Sequence, residues 1–206
     1  MYKFSVSVII VSLNSKNNFL RTLKSTISQK FNNYEIIVVD GNSIDGTKEE
    51  IKKYKNKIDK KILVKDRGIY DAMNKGVNIA SGNWIIFMNS GDIFYNSTIL
   101  QEIKKLNLNN YDIVYGNTII KKQNLIYKKY ANQFKNKTAL MAFCHQSCIV
   151  KSHLFKKKKF NISYKFAADF DFFKFHFSKN KKFFFINKFI SKVAAGGYSD
   201  TFRQEV

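Results

Sequence analysis

Four short apolar runs, each followed by a different helical pattern, restrict the fold of this chain more than any other feature. Val6 to Leu13 is rich in β-branched residues, the composition of a strand buried on both faces of a parallel sheet. Asn17 to Ser28 then sets Phe19, Leu20, Leu23 and Ile27 at helical spacing behind an Asn/Ser-rich opening that can cap a helix. Tyr34 to Val39 is a second buried strand, and a helix begins at Asp45-Gly46-Thr47 and runs to the region of Lys55. Lys61 to Val64 is a short third strand, Tyr70 to Ala80 a helix ending at Gly82, and Trp84 to Met88 the fourth strand. This alternation predicts an α/β fold with a mostly parallel central sheet and right-handed crossovers.

The second half departs from that rhythm. A helix is expected around Ser97 to Leu106, strands at Ile113 to Ile120, Leu125 to Tyr130 and Gln146 to Val150, and a helix at Ala168 to Phe177. The Phe-rich stretch Lys182 to Val193 reads as one or two strands, and Ala194 to Glu205 as a polar tail. No repeat or linker separates the halves, and 206 residues suit one domain, with residues 1–95 and 96–206 sharing a core.

The chain contains no Pro, so its tight turns must rely on Gly, Asn, Asp and Ser. A formal net charge of +21 implies an anionic partner: phosphorylated substrate, anionic membrane surface or nucleic acid. The lysines are spread over Lys48 to Lys65, Lys121 to Lys137, Lys151 to Lys165 and Lys179 to Lys192 rather than gathered in one tail. No stretch approaches the roughly 18 apolar residues a membrane span requires, and no cleavage site follows the first apolar run. The expectation is a cytoplasmic protein whose membrane contact is peripheral. Cys144 and Cys148 flank His145 without Cys-x-x-Cys spacing, and His153 alone lies near enough to add a ligand. Two reduced thiols are therefore expected, not structural zinc.

Chemistry concentrates where strands end. The loop Asp66-Arg67-Gly68 opens the helix through Asn74-Lys75-Gly76, and the strand from Trp84 ends in Asn89-Ser90-Gly91-Asp92. Open α/β sheets bind ligands at the carboxyl ends of their strands. Glycine there admits a phosphate close to the backbone, and a carboxylate can hold a divalent cation that grips a diphosphate. Such a loop and strand end read as a nucleotide-sugar site.

Val8 to Asn14, Val38-Val39-Asp40-Gly41-Asn42-Ser43-Ile44-Asp45-Gly46-Thr47, the Asp66 to Gly76 loop and Phe87 to Asp92 together resemble the family 2 glycosyltransferases of the GT-A fold. His145-Gln146 and Ala167-Ala168-Asp169 extend the match, and the loop wording is most similar to small bacterial enzymes of exopolysaccharide, capsule and lipopolysaccharide synthesis. The resemblance implies an inverting transfer of one sugar from a nucleotide-diphosphate donor, with UDP-sugar expected, to a lipid-linked or growing glycan.

It also implies roles for individual residues. Asp40 would contact the base, for which a uracil imide N–H is a suitable donor, or would simply cap the turn after its strand. Many relatives carry a second Asp where this chain has Gly41. Asp66 and Arg67 fall in the loop over the nucleotide, with Arg67 able to offset diphosphate charge. Asn74 matches a family position near the sugar and shares a helix face with Asp71, whose own reading as a helix N-terminal acid stays open. Asn89 and Asp92 occupy the family's Asp-x-Asp element, reduced here to one carboxylate, so Asp92 is the candidate ligand for Mg²⁺ or Mn²⁺. Asp169 is the candidate base, with Asp171 as its competitor. His145 matches a position near donor phosphate or acceptor, against a structural role for a lone His. Gly196-Gly197-Tyr198-Ser199 is either a loop closing over the site or a plain turn. Two other readings compete with transfer. A nucleic-acid-binding protein accounts for the charge but not for the strand-end motifs, so nucleic acid is not the expected partner. A catalytically idle relative would explain the reduced Asn89 to Asp92 element.

Overall fold

The computed structural model describes residues 4–122, 125–132 and 142–194. Its elements, in chain order, are β1 (Val6–Ser12), α1 (Lys16–Ile27), β2 (Tyr34–Asp40), α2 (Thr47–Lys53), β3 (Lys60–Leu63), α3 (Ile69–Ile79) and β4 (Trp84–Phe87). They continue with β5 (Ile93–Phe94), α4 (Ile99–Lys104), β6 (Ile113–Lys122), β7 (Leu125–Lys129), β8 (Cys148–Lys151), α5 (His153–Lys157), α6 (Ala168–Ser178) and β9 (Phe183–Ala194). The strands form one nine-stranded sheet in the order β3-β2-β1-β4-β8-β6-β9-β5, with β7 paired to β6.

In β1 every residue is buried, and alternate side chains serve different layers. Ile9 and Val11 join Ile37, Val39, Ala72 and Met73 under α3, while Ile10 meets Phe19, Leu23 and Ile51 from α1 and α2. Four strands, β3, β2, β1 and β4, run parallel, so their carboxyl ends share one edge. A Cβ at Gly76 would come within 2.5 Å of Ile9 Cγ2. Any side chain there would lift α3 off β1.

Beyond β4 the sheet is mixed: β8 is antiparallel to both β4 and β6, and β9 is parallel to β6 across a register shift near Asn117. The Phe-rich segment is a single twelve-residue strand, long enough to span that irregularity. The expected strand at Gln146 starts two residues later, because His145–Ser147 forms a 3₁₀ turn. Two short elements had no periodic signal. β5 has two residues, and α5 has five.

Much of the phenylalanine content packs on α6. Phe155 and Phe172 stack with ring centroids 4.5 Å apart, and Phe173, Phe160 and Phe143 complete the cluster. Each such ring is worth roughly 3–5 kcal/mol against Ala. This cluster seats the N-terminus of α6, and with it Asp169, against α3.

Candidate active site

The loops after β1 and β2 are tied to one another before any ligand enters. Asn14 Oδ1 accepts from the Ile44 N–H at 2.9 Å, Ser43 Oγ accepts from the Asn14 N–H at 2.8 Å, and Asp45 accepts from the Lys16 N–H at 2.8 Å. Asp40 completes this turn. Its two oxygens accept from the Ser43 N–H (2.8 Å) and the Ser43 hydroxyl (2.6 Å), and the side chain is fully buried. Asp40 thus caps the turn after its strand, its carboxylate buried and bonded within its own loop.

A different carboxylate stands at the surface. Asp66 Oδ2 lies 2.6 Å from where a Cβ on Gly41 would be, so the missing side chain at 41 is what makes room for it. Asp66 Oδ1 accepts from the Gly68 N–H at 2.9 Å, which fixes the carboxylate. Around it, Leu13 is 54% exposed and Val64 48% exposed, two apolar side chains left uncovered at the ends of β1 and β3. Apolar walls beside a single fixed acceptor suit a flat heterocycle with one N–H.

Arg67 and Asp71 form an i,i+4 pair: Asp71 accepts from the Arg67 N–H (3.0 Å) and guanidinium (3.3 Å), and Lys75 adds a third contact at 3.0 Å. Burial alone would push Asp71 up, but these donors hold its carboxyl below the usual value. Asp71 is thus committed to the first turn of α3, while the Arg67 side chain remains mostly exposed. Asn74 has a task that sequence did not suggest. Its amide donates to the Phe160 carbonyl (2.8 Å) and accepts from the Phe160 N–H (3.1 Å), stapling the segment before α6 to α3. With both ends of the amide engaged, Asn74 ties α3 to the chain leading to Asp169.

The turn after β4 closes with the Asp92 N–H donating to the Asn89 carbonyl at 2.8 Å, and Gly91 sits at φ 107°, a conformation a side chain would strain. Thr22 of α1 pins it, donating to the Asp92 carbonyl (2.7 Å) and accepting from the Gly91 N–H (2.9 Å). The Asp92 side chain points inward and is 5% exposed. Burial pushes its carboxyl up to about 7, against the pull of His145 and a hydrogen bond from Gln146. These residues do not fit a divalent cation held by protein ligands. The one carboxylate of the element is buried, Asn89 offers only a neutral amide, and no cluster of three potential ligands occurs among the described residues. Asp92, the carboxylate expected to present a ligand at the strand end, is directed into the protein by the Thr22-pinned turn.

Asn89, His145, Asp169 and Tyr70 form a hydrogen-bonded row. Asn89 Nδ2 contacts His145 Nε2 at 3.3 Å, His145 Nδ1 contacts Asp169 Oδ2 at 2.8 Å, and the Tyr70 hydroxyl donates to Asp169 Oδ1 at 3.1 Å. One His tautomer, protonated at Nδ1, satisfies both of its contacts. Burial pushes Asp169 up, but His145, the Phe170 N–H and Tyr70 outweigh it and keep the carboxyl below its ordinary value. Just before α6, Ala167 holds the left-handed region at φ 66°, a strain of about 1 kcal/mol, adjacent to the helix that carries Asp169. Asp171, the competing acid, pairs with Lys158 at 2.8 Å instead of joining this row. Tyr70 was not singled out from sequence, because 99 positions separate it from Asp169 and no local pattern links them. Gly196 to Ser199 lies outside the described residues.

Residues 7–189 match the family described as Glycosyl transferase family 2. The chain belongs to that family. This glycosyltransferase is 29% identical over 174 residues to the PGL/p-HBAD biosynthesis glycosyltransferase of Mycobacterium tuberculosis, covering 81% of this chain and 67% of the relative. It is 30% identical over 147 residues to the Escherichia coli UDP-Glc:alpha-D-GlcNAc-diphosphoundecaprenol beta-1,3-glucosyltransferase WfaP, covering 69% of this chain and 58% of that one. Among solved structures, S. aureus TarS 1-349 in complex with UDP superposes with a TM-score of 0.74 at 21% identity over 97% of this chain and 62% of TarS 1-349. The Pyrobaculum calidifontis mannosyltransferase PcManGT, in complex with GDP-Man and Mn2+, gives 0.71 at 16% identity over 96% of this chain and 59% of its own. Both are GT-A transferases, and the fold of this glycosyltransferase is the same: α/β with a mostly parallel first half. It spans roughly three fifths to two thirds of these relatives' lengths.

Proposed function

We propose that this glycosyltransferase moves one sugar from a UDP-sugar to a hydroxyl of a lipid-linked or growing glycan, with inversion, and that Asp169 is its base. The observation that carries this reading is the Asp169 carboxylate, held between Tyr70 and His145 and joined through His145 to Asn89 at the ligand edge of the sheet. The acceptor proton passes to Asp169 as the acceptor oxygen attacks the anomeric carbon. The bond from that carbon to the donor diphosphate breaks, and its electron pair leaves with the diphosphate. In this reading Asp66, Leu13 and Val64 seat the nucleobase, and the exposed Arg67 guanidinium leaves its 3.3 Å contact with Asp71 to offset the departing charge.

UDP as the nucleotide is supported by the UDP complex of TarS and by the named donor of the Escherichia coli relative, whose acceptor is a diphosphoundecaprenol. Mn2+ accompanies GDP-Man in PcManGT. Any Mg²⁺ or Mn²⁺ arriving with the donor here would take most of its ligands from diphosphate and water. An anionic membrane surface suits a lipid-linked acceptor and the charge of +21; among the described residues no helix is long and apolar enough to cross a membrane.

Asp169→Asn tests the proposal. It preserves size and most hydrogen bonding but removes basicity, and transfer should fall by roughly 10²-fold or more while UDP affinity stays unchanged. Near-normal transfer would remove Asp169 from the role, and a large defect in Asp171→Asn alone would hand it to the neighbour.

A further inference from the structure

The acceptor sites on Asp169 can be counted. A carboxylate offers about four lone-pair sites, two on each oxygen. Among the described residues, Oδ1 receives the Tyr70 hydroxyl at 3.1 Å and the Phe170 N–H at 3.0 Å, whereas Oδ2 receives only His145, at 2.8 Å. Oδ1 is filled. One site remains, and it is on Oδ2.

Tyr70 is placed to keep that pattern. It is the second residue of α3, nearly buried, with its ring 5.5 Å from that of Phe160. The Phe160 main chain is in turn locked to α3 by both ends of the Asn74 amide. The phenol therefore has little freedom to leave Asp169. Three elements converge on the carboxylate: α3 through Tyr70, the 145–147 turn through His145, and α6 through the Phe170 N–H. The titratable groups facing it are Tyr70 and His145, with Asp92 behind His145.

We propose that Tyr70 is a positioning residue for the base: by occupying Oδ1 together with the Phe170 N–H, it leaves Oδ2 as the atom that takes the acceptor proton. This rests on the reading of Asp169 as the base. Tyr70 neither gains nor loses a proton in the step. Burial and the neighbouring carboxylate both push its phenol above the ordinary value, so it remains a donor throughout the working range.

Tyr70→Phe removes the hydroxyl and keeps the ring. The decisive measurement needs no substrate: a ¹³C titration of the labelled Asp169 carboxyl, assigned by its loss in Asp169→Asn. Loss of one donor should move the Asp169 midpoint upward, and 3-fluorotyrosine at position 70, a stronger donor, should move it downward. In transfer assays with UDP-glucose and a GlcNAc-diphosphate-lipid acceptor, Tyr70→Phe should lose about ten-fold in rate, the scale of a hydrogen bond to a charged group. The acid limb of its pH profile should rise with the NMR midpoint. An unmoved midpoint in both variants overturns the proposal, as does a Tyr70→Phe loss that adds in full to that of Asp169→Asn. Failure of the underlying reading looks different: Asp169→Asn would then transfer normally whatever the midpoints do.

Discussion

Gly41 and Asp66 show how an absent side chain can assign a role to a neighbour. Where many family members carry a second acid after the strand, this chain has no Cβ, and the Asp66 carboxylate occupies the space. The base-reading role proposed for Asp66 therefore depends on residue 41 staying small. Gly41→Ala would put a methyl 2.6 Å from Asp66 Oδ2, closer than any tolerated contact, and displace the carboxylate. Calorimetry should show UDP affinity reduced about ten-fold in both Gly41→Ala and Asp66→Ala, the scale of one charge-assisted hydrogen bond. Unchanged UDP binding in Gly41→Ala would separate Asp66 from the base. Asp40 provides the contrast, since its motif was legible but its use was not. A strand-end Asp followed by Gly-Asn-Ser can serve either a ligand or its own turn, and here its carboxylate accepts from the Ser43 N–H and hydroxyl within that turn.

Among elements, α6 carries the proposed base, Asp169, at one end and a buried histidine toward the other. His176 is fully buried, packed 4.5 Å from Phe172 and 5.2 Å from Phe175, and neither ring nitrogen has a hydrogen-bond partner among the described residues. Burial, followed by Lys181 and Lys158, depresses its pKa to about 4. The folded chain thus keeps His176 neutral where the unfolded chain protonates it, so stability is lost as pH falls from about 6.5 toward 4. His176→Phe removes both the unpaired nitrogens and the titration. Its melting temperature should exceed wild type by a few degrees at pH 5 and by less at pH 8. An equal difference at the two pH values would show that His176 does not titrate in this window. The helix itself was expected from the sequence, at Ala168 to Phe177. Its partners were not, because Tyr70, Asn74 and Phe160 meet only once α3 and α6 are packed.

Over the whole molecule, charge and exposed apolar surface coincide on the β6–β7 pair. All five residues of β7 are exposed, including Ile126 at 67%, and Lys121, Lys122, Lys128 and Lys129 lie beside Leu125, Ile126 and Tyr127. Apolar tips among lysines are what a protein resting on an anionic bilayer presents. Flotation with phosphatidylglycerol-containing vesicles should recover the protein at low salt, lose it in high salt, and recover several-fold less of Leu125→Ser/Ile126→Ser. Equal recovery on neutral vesicles would exclude this mode. Tighter salt-sensitive retention on DNA would favour the nucleic-acid reading instead.

The alternation of apolar runs and amphipathic stretches determined the layered α/β sheet by itself, because burial on both faces of a parallel strand leaves a local, readable composition in β1, β2 and β4. The strand-end motifs likewise marked the turns at the strands' carboxyl ends, since such turns need Gly, Asn and Asp whatever the ligand. What each side chain does at that edge was decided by contacts between residues far apart in the chain. Asp92 turns inward because Thr22, 70 positions away, holds its carbonyl. Asp66 stands at the surface because Gly41 leaves room, and Asp169 is gripped by Tyr70 and His145 from two other elements. Hydrogen-bond partners at such separations leave no periodic trace in a single sequence, so only the packed chain assigns them.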